Sequence, residues 1–154
     1  MIQRIQSIFL FLASIAIALM FFFPLANFFS ENYSVQFWVI GIIKFTEFSD
    51  GININSLPLL IIVPFIALLS FTTIFLYKNR KIQLKLIKFN LLLNIILIAL
   101  YFFYYIDYIE ETTFANADYL VGSFFPLISL LFLTLAFRAI RKDEKLVRSA
   151  DRLR

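Results

Sequence analysis

Four long stretches of this sequence contain no charged residue, and their lengths constrain the fold more than any other feature. The first has 26 residues and lies between Arg4 and Glu31, and the second separates Asp50 from Lys78. Because an α-helix rises about 1.5 Å per residue, roughly 20 apolar residues cross a hydrocarbon core of about 30 Å. The pattern therefore predicts an all-α membrane protein with four transmembrane helices, over residues 5–25, 57–77, 89–106 and 119–137.

The overall composition agrees with a chain that folds in a lipid bilayer. Hydrophobic residues make up 62% of the 154 residues, more than a small soluble domain could bury. The first uncharged stretch follows a single arginine and ends without a cleavage site of small residues. We therefore expect a retained helix rather than a signal peptide.

The basic residues indicate the orientation of the chain. Thirteen of the fourteen lysines and arginines lie before the first span, between the second and third spans, or after Phe137, and Lys44 is the exception. Cytoplasmic segments of membrane proteins carry an excess of lysine and arginine. Both termini are therefore expected in the cytoplasm.

The longest segment outside the predicted membrane spans connects the first two of them. Residues 35–39 and 42–46 are rich in β-branched and aromatic side chains, and Gly41 separates these two runs. This pattern favours a short extracytoplasmic β-hairpin. Since two strands alone are marginally stable in water, we expect the hairpin to rest on the membrane surface or on the helix ends.

The basic tail, residues 138–154, is predicted to continue the fourth helix, because neither glycine nor proline occurs from Leu127 onward. Lys81, Lys85 and Lys88 share one face of a similarly extended third helix. Three interpretations of these basic extensions remain open: an orientation signal alone, contact with anionic lipid headgroups, or docking of a cytoplasmic partner. The candidate partner-binding residues are Lys81, Lys85, Lys88, Arg138, Arg141, Lys142, Lys145, Arg148, Arg152 and Arg154.

Several kinds of chemistry are missing from the sequence. It has no cysteine and no histidine, so disulfides, thiol catalysis and most zinc sites are excluded. The predicted spans contain no charged side chain of the kind that coupled ion transporters use. We therefore expect no enzymatic activity, no cofactor and no metal site.

Two polar features of the third span have structural explanations. Asn90 and Asn94 lie one turn apart, and we predict that they form hydrogen bonds to neighbouring helices. The candidate partners are Thr72, Thr73, Ser129 and Thr134. The aromatic run at residues 101–105 lies where the span leaves the membrane and is interpreted as an interfacial belt.

Both ends of the chain are similar to a known family. Residues 1–7 (MIQRIQS), 138–144 (RAIRKDE) and 147–154 (VRSADRLR) resemble a Bacteroidota membrane family, the domain-of-unknown-function family 4293. The resemblance implies a location in the bacterial inner membrane. It brings no activity, cofactor or site residue.

The leading hypothesis is a non-catalytic accessory or adaptor subunit of an inner-membrane complex. Its basic helical tail would dock a ribosome or an acidic cytoplasmic protein, as in protein-export machinery, while lipids and other membrane proteins surround its spans. No DNA partner is expected. Two alternatives stay open: an oligomeric protein that handles lipids or small molecules, and a sensor of the cell envelope.

Overall fold

A computed structural model describes residues 3–30, 33–44, 54–77 and 79–152 and shows long helices with a small sheet at one end. The helices are α1 (Gln3–Leu19), α2 (Leu57–Phe75), α3 (Arg80–Leu100), the short α4 (Asp107–Thr113) and α5 (Phe125–Arg152). The strands are β1 (Ala26–Ser30), β2 (Tyr33–Phe37), β3 (Ile42–Lys44) and β4 (Ala117–Tyr119).

The four long helices form a bundle in which α1 and α3 each contact both α2 and α5. Helices α1 and α5 are antiparallel, since Phe9 stacks on Phe132 and Phe23 packs on Phe125, with ring centroids 6.5 and 5.4 Å apart. The start of α1 and the end of α5 therefore lie together. We call this the basic end of the bundle and the opposite end the sheet end.

Three helical segments are long and apolar enough to cross a membrane: Leu57–Phe75, Arg80–Thr113 and Val121–Leu146. This property is consistent with a membrane protein. The apolar part of α1, Ile5–Leu19, is shorter. Four helices were expected to span, and by length and composition the described residues supply three.

Helix α1 ends at Leu19, well before the end of the expected span at residue 25. The amide groups of Met20, Phe21 and Phe22 donate to carbonyls only three residues earlier, at 3.0 to 3.2 Å, so the last turn tightens. Pro24 then cannot continue a helix. The remaining uncharged residues enter strand β1.

The third helical segment is longer than expected at both ends, because it runs without a break over Arg80–Thr113. Between α3 and α4 lies a π-helical segment, Tyr101–Ile106, which coincides with the aromatic run. In the fourth segment, a 3₁₀ turn at Val121–Phe124 leads into α5, and the helix continues through the basic tail to Arg152. Tyr119, the expected start of that span, belongs to β4.

The sheet is larger than the single hairpin that was predicted beside the helices. Strands β2 and β3 are antiparallel and place Phe37 opposite Ile42, so the predicted hairpin is present on either side of Gly41. Residues 45–46 of the second run lie outside the described residues. However, the sheet has four strands in the order β3-β2-β1-β4, and neither β1 nor β4 was expected.

Two tyrosines of the aromatic run attach the sheet to the bundle. Tyr101 and Tyr105 are fully buried, and the Phe37 ring of β2 stacks on both, at 6.3 and 5.5 Å between centroids. The Tyr101 hydroxyl shares a hydrogen bond with Ser123 Oγ (2.7 Å), and the Tyr105 hydroxyl donates to the Asn55 carbonyl (2.9 Å). The interfacial-belt interpretation is therefore wrong for these two residues, whereas Phe103 and Tyr104 are exposed.

Candidate basic docking face

Seven of the ten candidate partner-binding residues have described side chains, and all seven are exposed. They lie on the first turns of α3 and on α5 beyond Phe137: Lys81, Lys85, Lys88, Arg138, Arg141, Lys142 and Lys145. We call this set the basic face. Arg148 and Arg152 belong to the α5 helix but their side chains are outside the description, and Arg154 lies outside the described residues.

The antiparallel packing of α3 and α5 brings these cations together. Arg80 Nη2 lies 3.2 Å from Asp143 Oδ2, Lys88 Nζ lies 5.8 Å from the Phe137 ring centroid, and Asn94 reaches Ser129. In these three contacts the residue number increases along α3 and decreases along α5, so the two helices run in opposite directions. The lysines of α3 therefore lie beside the basic tail, although at least fifty positions separate them in sequence.

A groove opens between the two helices at the basic end. Lys81, Lys85 and Lys88 line one wall, Arg141 and Glu144 line the other, and Leu84 and Phe137 also line it. Its volume of about 380 Å³ falls within the range of small-ligand clefts. We call this the α3–α5 groove. Four of its lining side chains are cationic and one is acidic.

A second hollow on the basic face lies on α5 alone. Arg138, Arg141, Lys142 and Lys145 line this hollow, which has a volume of about 320 Å³. Arg141 is shared with the α3–α5 groove. We call Arg138, Lys142 and Lys145 the outer cluster, because these three do not line the groove.

One ion pair ties the two basic extensions to each other. Asp143 is buried, with its side chain 12% exposed, and the Arg80 side chain is 26% exposed. Although the nitrogen and oxygen lie 3.2 Å apart, Asp143 Oδ2 has no well-directed hydrogen bond. The contact is therefore mainly a charge interaction. From the sequence, Arg80 was counted only among the residues that indicate orientation, and this contact was not predicted.

Deeper in the bundle, both asparagines of α3 bond to serines on neighbouring helices, as predicted. Asn90 Nδ2 donates to Ser70 Oγ of α2 (2.6 Å), and Asn94 Nδ2 donates to Ser129 Oγ of α5 (3.0 Å). Ser70 was not among the predicted partners. The threonines that were, Thr72, Thr73 and Thr134, instead donate to carbonyls of their own helices.

We expect replacement of Asn94 by leucine to change the free energy of unfolding by less than about 1 kcal/mol. Asn94 is fully buried and its Oδ1 has no hydrogen-bond partner, so the substitution removes one buried unpaired acceptor together with one hydrogen bond. Ser129→Ala, which leaves Asn94 Nδ2 unpaired, should destabilise the protein more. Unfolding by denaturant in mixed micelles measures both variants. A loss above about 2 kcal/mol in the leucine variant would contradict this expectation.

At the sheet end, the acidic residue Glu110 has a structural role. The Ala117 amide donates to Glu110 Oε1 (2.7 Å), which joins α4 to β4. Burial raises the pKa of Tyr119, and the charges of Glu110 and Asp107 raise this pKa further. Within the described parts of the chain, no three histidine, cysteine or acidic side chains come together as metal ligands would.

Comparison with known proteins assigns the chain to a family. No curated protein and no solved structure matches it. The model of a family described as a domain of unknown function, DUF4293, matches residues 2–153. This match covers nearly the whole chain and agrees with the resemblance at its two ends. The chain therefore belongs to the DUF4293 family.

Proposed function

We propose that this chain is a non-catalytic accessory subunit of a bacterial inner-membrane complex, and that its basic face docks a cytoplasmic protein with an acidic surface. The observation that carries the proposal is the length of α5. Its 28 residues extend for about 42 Å, beyond a hydrocarbon core of about 30 Å, and its basic tail is part of the same helix. The excess of basic residues at this end supports an orientation with both termini in the cytoplasm.

The cations on α5 are arranged as a stripe along one side of the helix. Arg138, Arg141, Lys145, Arg148 and Arg152 follow each other at intervals of three and four residues, so their backbone positions share one helical face. A stripe of like charges attracts an acidic surface and sets the register in which the two bind. The lysines of α3 widen this stripe into a surface on two helices.

An acidic protein fits this surface better than single-stranded RNA does. Proteins that bind unpaired RNA stack bases on exposed aromatic rings. Phe137 is the only aromatic residue among the described residues that line the two hollows of the basic face. Its ring is half-buried, and Lys88 lies above it. Charge complementarity without stacking is more typical of a protein partner.

The buried asparagines favour this function over the handling of lipids or small molecules along a polar pathway. Such a pathway would require Asn90 and Asn94 to face an open seam at membrane depth. Both are fully buried and bond to serines, as packing contacts do. The two asparagines therefore support a closed bundle that anchors the basic face.

A retention experiment in mild detergent tests the proposal. The intact chain should retain specific proteins, and a version lacking residues 146–154 should lose them. Replacing Arg138, Arg141, Lys142 and Lys145 by glutamine should reduce the amount of protein retained about tenfold or more. The charge-retaining variant R138K/R141K serves as the matched control and should behave as the intact chain. Mass spectrometry identifies what each version retains. The truncated version and the glutamine variant should still insert into the membrane, because the remaining basic residues maintain the orientation.

Two outcomes would refute the proposal. Recovery of the same proteins with every version, or of lipid alone, would show that the basic face docks no protein. Retention that disappears after ribonuclease treatment would identify RNA, as in a ribosome, and would overturn the assignment of an acidic protein partner.

A further inference from the structure

We propose that the α3–α5 groove binds an anionic phospholipid, with the headgroup phosphate among Lys81, Lys85, Lys88 and Arg141 and an acyl chain along the exposed face of α3. This inference does not rest on the proposed docking of a protein. The groove is part of the basic face, but lipid affinity and protein retention are measured separately, so either proposal can fail without the other.

The first argument is the charge of the groove. Its four cations face one carboxylate, Glu144, so three positive charges remain in excess. Lys81, Lys85, Lys88 and Arg141 are all exposed and can turn toward a ligand. Cations at the edge of a membrane attract anionic headgroups by about 1 kcal/mol each. A phosphate diester bearing one negative charge suits this arrangement.

The second argument is a change of chemistry along a single helical face. Lys81, Lys85 and Lys88 are followed on the same face of α3 by Leu92 and Ile95, at intervals of three and four residues. Leu92 is 55% exposed and Ile95 is 56% exposed. One turn beyond Lys88, the face therefore changes from cationic to aliphatic, which matches a lipid headgroup followed by its acyl chain.

The third argument is the opposite wall, which changes in the same direction. Along α5, Arg141 and Phe137 line the groove, and the same face continues through Thr134 to Leu127, which is 43% exposed. Lys88 Nζ lies 5.8 Å from the centre of the Phe137 ring, within the range of a cation–π contact. The groove thus has a charged mouth and an aromatic ring, and the helical faces that continue from both walls carry the exposed aliphatic side chains of Leu92, Ile95 and Leu127.

The continuity of the charged and apolar parts favours a lipid over a free anion. Inorganic phosphate or glycerol phosphate would occupy the charged mouth alone. A phospholipid would also cover the exposed aliphatic side chains of Leu92 and Ile95 with an acyl chain, and its headgroup would lie at the depth where lysine side chains extend toward the membrane surface. The groove therefore commits to a ligand that has both parts.

Native mass spectrometry of the full chain in detergent tests the site, with phosphatidylglycerol and phosphatidylcholine as the two lipid probes. Phosphatidylglycerol should bind the intact chain more tightly than phosphatidylcholine does. The variant K81Q/K85Q/K88Q should lose about tenfold or more of the affinity for phosphatidylglycerol. The matched control is R138Q/K142Q/K145Q, which removes three charges from the outer cluster and should lose less than about threefold.

Several results would overturn the proposal. Equal losses in the two triple variants would show that binding reflects general charge attraction. Equal binding of the two lipids would show that no phospholipid site exists there. So would a thermal unfolding measurement in which soluble glycerol phosphate stabilises the protein as much as phosphatidylglycerol does. A single substitution, Lys85→Glu, gives an independent measurement should the groove triple variant unfold. It should weaken phosphatidylglycerol binding, and unchanged binding would refute the site.

Discussion

Replacing Gly122 by alanine is expected to destabilise the protein by about 3 kcal/mol. Gly122 is buried in the 3₁₀ turn that precedes α5, and its amide donates to the Pro24 carbonyl (3.1 Å). A methyl group at this position would collide with the Pro24 carbonyl oxygen and would lie 2.9 Å from that of Phe23. Because both obstacles are backbone atoms, no side-chain rotation relieves the overlap.

The free energy of unfolding in mixed micelles checks this prediction. Val121→Ala is the matched control, since Val121 precedes the glycine and is 61% exposed, and its effect should stay within about 0.5 kcal/mol. An alanine variant at position 122 as stable as the control would show that the α1–β1 turn and the start of α5 can separate without cost. The described packing of these segments would then be incorrect.

Removal of the Arg80 side chain should cost about 2 kcal/mol, because it leaves the Asp143 carboxylate buried without its cation. Breaking one partner of a buried ion pair costs about 3 to 5 kcal/mol, and partial exposure of Arg80 and Asp143 reduces this value through solvent screening. The Arg80→Met variant keeps the apolar stem of the side chain, so the loss of stability measures the contribution of the charge. Asp143→Leu in addition should recover most of the lost stability.

A double-mutant cycle of these two substitutions measures the coupling between the two basic extensions. Arg138→Met removes an exposed charge from the same end and should change stability by about 0.5 kcal/mol or less. If Arg80→Met and Arg138→Met have equal effects, the ion pair does not hold α3 against α5.

The helices were predictable because the backbone N–H and C=O groups of an uncharged stretch of about 20 residues can form all their hydrogen bonds in a bilayer only within a helix or a closed barrel. The ends of the helices were not predictable, because a short apolar run has the same sequence pattern in a buried helix and in a buried strand. Residues 20–25 continue the uncharged stretch of α1, and the turn before Pro24 sends them into β1. Pro24 was the available signal.

The sheet was only half predictable for a different reason. The β2–β3 hairpin is local and is punctuated by Gly41, so its sequence carries a pattern. Strand β1 also pairs with β4, where Phe28 is opposite Ala117, and the two strands are far apart in the chain. A three-residue strand has no pattern of its own. It forms because β1 already offers it an edge.

For the candidate site, sequence alone was sufficient to predict that the basic residues lie at one end of the bundle and that the lysines of α3 share a face. Helical periodicity and the absence of helix-breaking residues are sufficient for these conclusions. Which cations become neighbours depends on how the helices pack. Antiparallel packing of α3 and α5 created the groove, and it paired Arg80 with Asp143, because contacts between distant segments depend on how helices pack and leave no local trace in the sequence.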